Sequence, residues 1–187
     1  MSFRRCLLAA VLSVALFYLY VLGVTLIPDV SEEYRDYYIT RESGLSPMER
    51  KRMGAVAPGD VLAFDDPKIG FDSWSGAEEG FRWSLGARPQ LHFLLRDEED
   101  AAGIDALVLQ VRPMGEQRVR VFLNGEALGE HHLSSSQGVA LSIPVAETLL
   151  HEGENILSLE LPDARRPGNG DPRELGLAFI SLHLSRV

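Results

Sequence analysis

From Asp60 onward the chain is written in short apolar runs cut by turn residues, and no other feature restricts its fold as much. The runs are VLAF (61–64), FRWSL (81–85), QLHFLL (90–95), ALVLQV (106–111), RVRVFL (118–123), EALGEHHL (126–133), VALSIPV (139–145), NILSLEL (155–161) and LAFISLHL (177–184). Three of them alternate strictly. Leu107, Leu109 and Val111 share one face, as do Val119, Val121 and Leu123, with Arg118 and Arg120 opposite. Leu157, Leu159 and Leu161 do the same, with Ser158 and Glu160 opposite. Successive strand side chains point to opposite faces, so this pattern belongs to antiparallel sheets with one buried and one wet face. Nine such runs at this spacing predict an all-β antiparallel sandwich. Asn124-Gly125 predicts a tight hairpin, because both residues tolerate the positive φ of a type I′ turn. One helical turn is expected, around Ala146 to Leu150. Residues 162–174, PDARRPGNGDPRE, read as a long charged loop.

Ahead of this region lies Cys6 to Ile27, 22 residues with no charge and no proline. At about 1.5 Å per residue, such a helix crosses the roughly 30 Å hydrocarbon core of a bilayer. Arg4 and Arg5 precede it, and Asp29, Glu32 and Glu33 follow. Basic flanks stay in the cytoplasm. The expectation is a single-pass inner-membrane protein with its N-terminus cytoplasmic and its C-terminal domain periplasmic or extracellular. A cleaved signal peptide is the competing reading, with its one passable site near Gly23. The run exceeds the roughly 7–15 apolar residues of a signal, so the uncleaved anchor is preferred. Tyr18 and Tyr20 lie within it, as interfacial residues or as a face toward another membrane protein. The expected divisions are 1–27 for the cytoplasmic N-terminus and anchor, 28–57 for a stalk, and 58–187 for the sandwich. The stalk holds Tyr34, Tyr37 and Tyr38. Ser46-Pro47-Met48-Glu49 starts a short helix there, with serine as N-cap and proline in the first turn, ending near Gly54.

Beyond Ile27 the chain has 16 basic against 27 acidic residues, a net charge of −11. That excess argues against nucleic acid and anionic headgroups as partners. Cys6 is the sole cysteine. The sandwich region therefore has no disulfide framework, no thiolate-bound zinc and no thiol nucleophile. Its size allows stability from apolar burial alone.

The stretch VRVFLNGEALGEHHL…VALSIPVAETLLHEGENILSLEL resembles the core of galactose-binding-domain-like jelly rolls. Val119 to Leu123 leads into Asn124-Gly125, Leu128-Gly129 follows, and Gly153-Glu154-Asn155 precedes the next strand. Gly153 reads here as allowing a tight approach before that buried strand. The wider stretch, roughly 60–187, is similar to modules found on bacterial envelope-polysaccharide membrane proteins. Those carry an acidic, tryptophan-rich segment, here Trp74 to Trp83, and an Asp-x-Arg-x-Leu-Gly turn, here Asp171 to Gly176. The resemblance implies a jelly-roll fold. It is weaker on ligand, since such folds bind glycans, lipids, metals, proteins or nothing.

Trp74, Glu78, Trp83, Asp171 and Arg173 are the candidate ligand-binding residues. Aromatic faces stack on pyranose rings while carboxylates and arginines grip hydroxyls. Against this stand core packing for either tryptophan and a structural ion pair for Asp171 and Arg173. Glu78 and Glu79 are adjacent and point oppositely on an extended chain, so they cannot flank a scissile glycosidic bond. His131-His132 fails as a metal pair for the same reason. The run Asp97-Glu98-Glu99-Asp100 suits a solvated charge cluster better than a structural calcium site. No Gly-x-Ser-x-Gly or phosphate loop is present in the sequence. No catalytic residues and no cofactor are expected. The sequence thus points to a membrane-anchored, non-catalytic accessory sandwich that binds a cell-envelope glycan or assists a glycan-synthesising or transporting membrane complex. The alternative is a structural subunit binding a polytopic membrane protein rather than sugar; a glycan-modifying enzyme is a third reading.

Overall fold

The computed structural model describes residues 3–26, 44–134, 137–146, 148–168 and 170–186. The chain divides into two compact units, Met1–Arg41 and Glu42–Val187. In the first, helix α1 (Phe3–Leu26) runs for 24 residues. Among the described residues, no helix is long and apolar enough to cross a membrane. The expected transmembrane helix therefore appears as a helix whose span is not supported by the fold. Residues 28–43, with Tyr34, Tyr37 and Tyr38, lie outside the described residues.

The second unit opens with helix α2 (Pro47–Arg52). Its capping box is complete: the Ser46 hydroxyl accepts from the Glu49 N–H at 3.3 Å, and the Glu49 carboxylate accepts from the Ser46 N–H at 2.9 Å. The helix stops at Arg52, two residues before the expected Gly54, with Met53 as C-cap in extended conformation.

Eleven strands follow among the described residues: β1 (Ala55–Val56), β2 (Val61–Ala63), β3 (Gly70–Asp72), β4 (Arg82–Trp83), β5 (Gln90–Leu95), β6 (Ala106–Pro113), β7 (Gln117–Leu123), β8 (Glu126–Leu133), β9 (Val139–Pro144), β10 (Gly153–Glu160) and β11 (Leu177–Ser185). One sheet runs β1-β5-β10-β7-β8, with β3 also on β5; the other runs β2-β11-β6-β9, with β4 also on β11. The pairing is a set of nested antiparallel hairpins. β7 pairs with β8, β6 with β9, β5 with β10, and β2 and β4 with β11. A long hairpin folded over on itself in this way is the jelly roll, with Asn124-Gly125 at its tip. Those two residues have φ of 52° and 90°, as a type I′ turn requires.

The core is the inward half of each strand. Leu107, Leu109, Val111, Val119, Val121, Leu123, Leu157, Leu159 and Leu161 are all essentially fully buried, with Phe93 and Phe179 as the largest fully buried side chains. β9 is a sheet edge and ends in Pro144 opposite Ala106. An edge tolerates the missing donor.

Two expectations are corrected. The turn at 146–150 does not form a helix among the described residues: the Leu149 N–H closes on the Ala146 carbonyl at 2.9 Å, while Glu147 lies outside them. The helical piece is instead α3 (Glu98–Ala102), in the acidic run. There the Asp97 carboxylate caps the Asp100 N–H at 2.9 Å and Ala101 is buried. Carboxylates in a first helical turn interact favourably with the N-terminal dipole, so this charge run has a structural use.

Candidate functional site

Registry places the connections 73–81, 84–89 and 114–116, and the described residues 134, 137–138, 161–168 and 170–176, at one end of the sandwich. Trp83 faces Ala178, Gln117 faces Leu133, Ser158 faces Gln90 and Leu177 faces Pro113. The five residues selected from the sequence all sit on these connections or the strand ends beside them, but they do not form one group.

Trp74 belongs to the interior. It is 8% exposed, donates its indole N–H to the Gln90 carbonyl at 2.8 Å, and packs on Phe71 and Phe179. Its ring is unavailable for stacking on a ligand. The reason is local: Trp74 bridges to Ser84 just after β3, where Phe71 already points inward.

Trp83 lies on the outer face of the second sheet, half-buried. Phe81 meets it edge-on at 5.5 Å, and the Arg112 guanidinium lies 4.7 Å from the Phe81 ring centroid. Parity explains the grouping. Arg112 and Trp83 both register with Ala178 across β11, so the three share one row of the sheet's outer side. Phe81 and Arg112 were missed from the sequence. Phe81 stands in the same FRWSL run as Trp83, and Arg112 extends the outward series of β6 by two residues past Gln110.

Arg82 points the other way and holds the connection in shape. Its Nε donates to the Phe64 carbonyl and its Nη1 to the Ser75 carbonyl at 2.9 Å, with the guanidinium 4.4 Å over Phe71. Burial lowers its pKa, and Asp65 opposes that. The Ser75 hydroxyl in turn accepts from the Trp83 N–H at 2.9 Å.

The remaining three candidates do meet. Arg173 grips Asp171 through Nε at 3.0 Å and Nη2 at 2.7 Å, and reaches Glu78 through Nη1 at 3.2 Å. The hydrogen bonds from Arg173 hold the Asp171 carboxyl below its usual range. Those to Asp171, then to Glu78, raise the Arg173 pKa. The triad adjoins the aromatic row through a turn in which the Glu78 N–H donates to the Phe81 carbonyl at 2.9 Å. A carboxyl held low is a poor proton donor near neutrality, so Asp171 suits a hydrogen-bond acceptor better than an acid catalyst.

The histidines of β8 part as expected: His131 registers with Val119, and exposed His132 with Arg118, within 3.2 Å of Glu130. Among the described residues, no group of three or more His, Cys, Asp or Glu could hold a metal ion.

No protein-family profile matches the chain, and no curated protein matches it. Solved structures do. A family 35 carbohydrate binding module from Clostridium thermocellum is 10% identical, over 68% of this chain and 97% of that one, with a TM-score of 0.44. A Podospora anserina GH26-CBM35 β-(1,4)-mannanase is 12% identical, over 71% of this chain and 28% of that one, with a TM-score of 0.46. A family two carbohydrate esterase from Clostridium thermocellum, in complex with cellohexaose, is 10% identical over 67% of this chain, with a TM-score of 0.40. The chain spans less than a third of that esterase, at 31% of its length.

Proposed function

We propose that this protein is a non-catalytic accessory module that binds a cell-envelope glycan, and that Trp83, Phe81, Arg112, Glu78, Asp171 and Arg173 form its binding surface. The observation that carries this reading is the juxtaposition of a half-buried aromatic pair with a triad of side chains that present both charges. Aromatic rings offer a sugar its stacking face, and fixed carboxylate and guanidinium groups offer directional partners for hydroxyls. Trp74 has no part in it. Affinity electrophoresis of the full chain through gels containing envelope polysaccharides tests the reading. Retardation by at least one polysaccharide is expected, reduced several-fold in Trp83→Ala and Arg173→Ala while far-ultraviolet circular dichroism is unchanged. Free migration of the wild type through every gel would refute it.

The membrane placement belongs to the same proposal. Its support is the uncharged run Cys6–Ile27 between a basic flank and an acidic one. An anchor would hold the sandwich in a thin layer beside the bilayer and raise its effective concentration for membrane-bound glycans or a polytopic partner. The chain should remain with the membrane after an alkaline carbonate wash, and its C-terminus should be open to protease added from outside the cytoplasm. Release by the wash, or protection of the C-terminus, rejects this part alone.

A further inference from the structure

The two outer faces of the sandwich differ in charge. On the sheet of β5, β10, β7 and β8, ionised side chains pair in a line across the strands. Arg88 meets Glu160 at 3.3 Å, Glu160 meets Arg120 at 3.6 Å, and Arg120 meets Glu130 at 2.7 Å. The outer face of β2, β11, β6 and β9 is built otherwise. Val61, His183, Val108 and Ser142 register with one another across its four strands, and the next row holds two alanines, a serine and Gln110. Their neighbours along each strand are buried in the core, so these rows point outward. Among the described residues, no outward position of these four strands carries a carboxylate. The ionisable side chains there are His183 and Arg112, and Arg112 lies against the Phe81 ring. Val61 is 62% exposed; outside helix α1, only Met48 joins it among the exposed large apolar side chains.

The chain beyond Ile27 has 16 basic against 27 acidic residues. A face cleared of carboxylates in so acidic a region has the composition of an interface core, where charge is depleted. Charge also narrows the occupant. A cationic partner would find its counter-charges elsewhere on the body, and an anionic one would be repelled by it. The face fits another flat, uncharged one, and a second copy supplies it. Small side chains let two sheets pack about 10 Å apart, and a two-fold operator sets the same surface against itself. Strands about 4.8 Å apart, rising about 3.3 Å per residue, give this face a plane of roughly 400 Å² before side-chain relief is counted. Two copies together come close to the roughly 1,000 Å² of a specific interface.

We propose that the outer face of the β2-β11-β6-β9 sheet joins two copies of this chain in a two-fold dimer. Trp83 and Arg112 stand at one end of that face, in the row through Ala178, outside the two rows that meet. The dimer stands whether or not the aromatic site holds sugar.

The test is sedimentation velocity of the full chain in a mild non-ionic detergent, at concentrations up to about 100 μM. The wild type should sediment as a dimer. Val61→Glu and Val108→Glu should each raise the dissociation constant about tenfold or more, because each buries a carboxylate at the seam with no partner. Val61 is mostly exposed, so its substitution reads the seam without disturbing the core, and far-ultraviolet circular dichroism should not change. His132→Glu, on the outer face of the other sheet, should leave the constant as it is. A wild type that stays monomeric at every concentration overturns the proposal. So does an unchanged constant in either glutamate variant of this face, or an equal loss in His132→Glu, since both place the contact elsewhere. A monomer that retains polysaccharide would keep the aromatic site and reject the dimer, and a dimer that retains none would do the reverse.

Discussion

The two tryptophans show how much one residue's surroundings decide. Trp74 and Trp83 flank the same acidic segment, yet one is walled in by Phe71 and Phe179 and the other lies on an outer face. Nothing in their immediate neighbours tells them apart, because both follow polar or charged residues in turn-rich sequence. Trp74→Ala should cost about 3–5 kcal/mol, the usual loss for emptying a core aromatic site. Trp83→Ala should cost no more than about 1–2 kcal/mol. Urea denaturation of the two variants checks this, and equal costs would reject the assignment. Asp163 offers a second test at this scale. Arg118 holds its carboxyl at about 2, against an ordinary 3.8. A depressed folded-state pKa adds stability above the ordinary value, and that stability is lost as pH falls through the folded value. Asp163→Asn should therefore lower the denaturation midpoint at pH 5 and converge with wild type below pH 2. A gap that persists at low pH would mean that the carboxylate's charge is not what matters.

At the scale of elements, alternation was legible in β6, β7 and β10, since each spans seven or eight residues and repeats its pattern, whereas the other expected strands were found as apolar runs between turn residues. β1 and β3, two and three residues long, are too short to show any period. Helix α3 is equally hidden, because its EEDAA segment has one buried residue and no apolar stripe. The hairpin signal at Asn124-Gly125 was readable, but its chemistry was not. The Asn124 amide donates to the Leu149 carbonyl at 2.8 Å and to the Asn155 side-chain oxygen at 2.9 Å, and its own oxygen accepts from the Ile156 N–H at 2.8 Å. Asn155, fully buried, continues to the His151 and Gly153 carbonyls at 2.8 and 3.1 Å. The Asn-Gly and Gly-x-Asn signatures thus belong to one network that locks the hairpin tip to β10. Gly153 serves it through its φ of +88°; a Cβ there would meet nothing, so close approach is not its reason. If the turn alone mattered, Asn124→Gly would be harmless, because glycine accepts positive φ freely. The network predicts instead that Asn124→Gly costs about 2–4 kcal/mol, close to Asn124→Ala, since both strand buried partners. Thermal melts of the pair distinguish the two.

For the sandwich as a whole, nested pairing explains why the connections with candidate binding groups converge. Folding one long hairpin over on itself brings alternate turns to the same end, so loops distant in sequence become neighbours. That convergence was invisible in the sequence, where Glu78 and Arg173 are 95 residues apart. The same topology bears on where the folded body begins. A boundary at 58 follows the onset of alternation, but the compact unit starts at Glu42. Val56 is 1% exposed and pairs through β1 with Leu95; Leu45 and Met53, at 7% and 9%, press on Gly70 beside His92. His92 itself is buried at 1% and bonded to Glu154, which also holds Arg50 of α2. A chain beginning at 58 loses all three apolar side chains and uncovers that histidine. At roughly 1.5–3 kcal/mol per buried side chain, it should be less stable than a 44–187 chain by at least about 4 kcal/mol. With a slope near 2 kcal/mol per molar, that is a fall of roughly 2 M in the urea midpoint. Equal midpoints would show that α2 and β1 rest on the sheet without contributing to its stability.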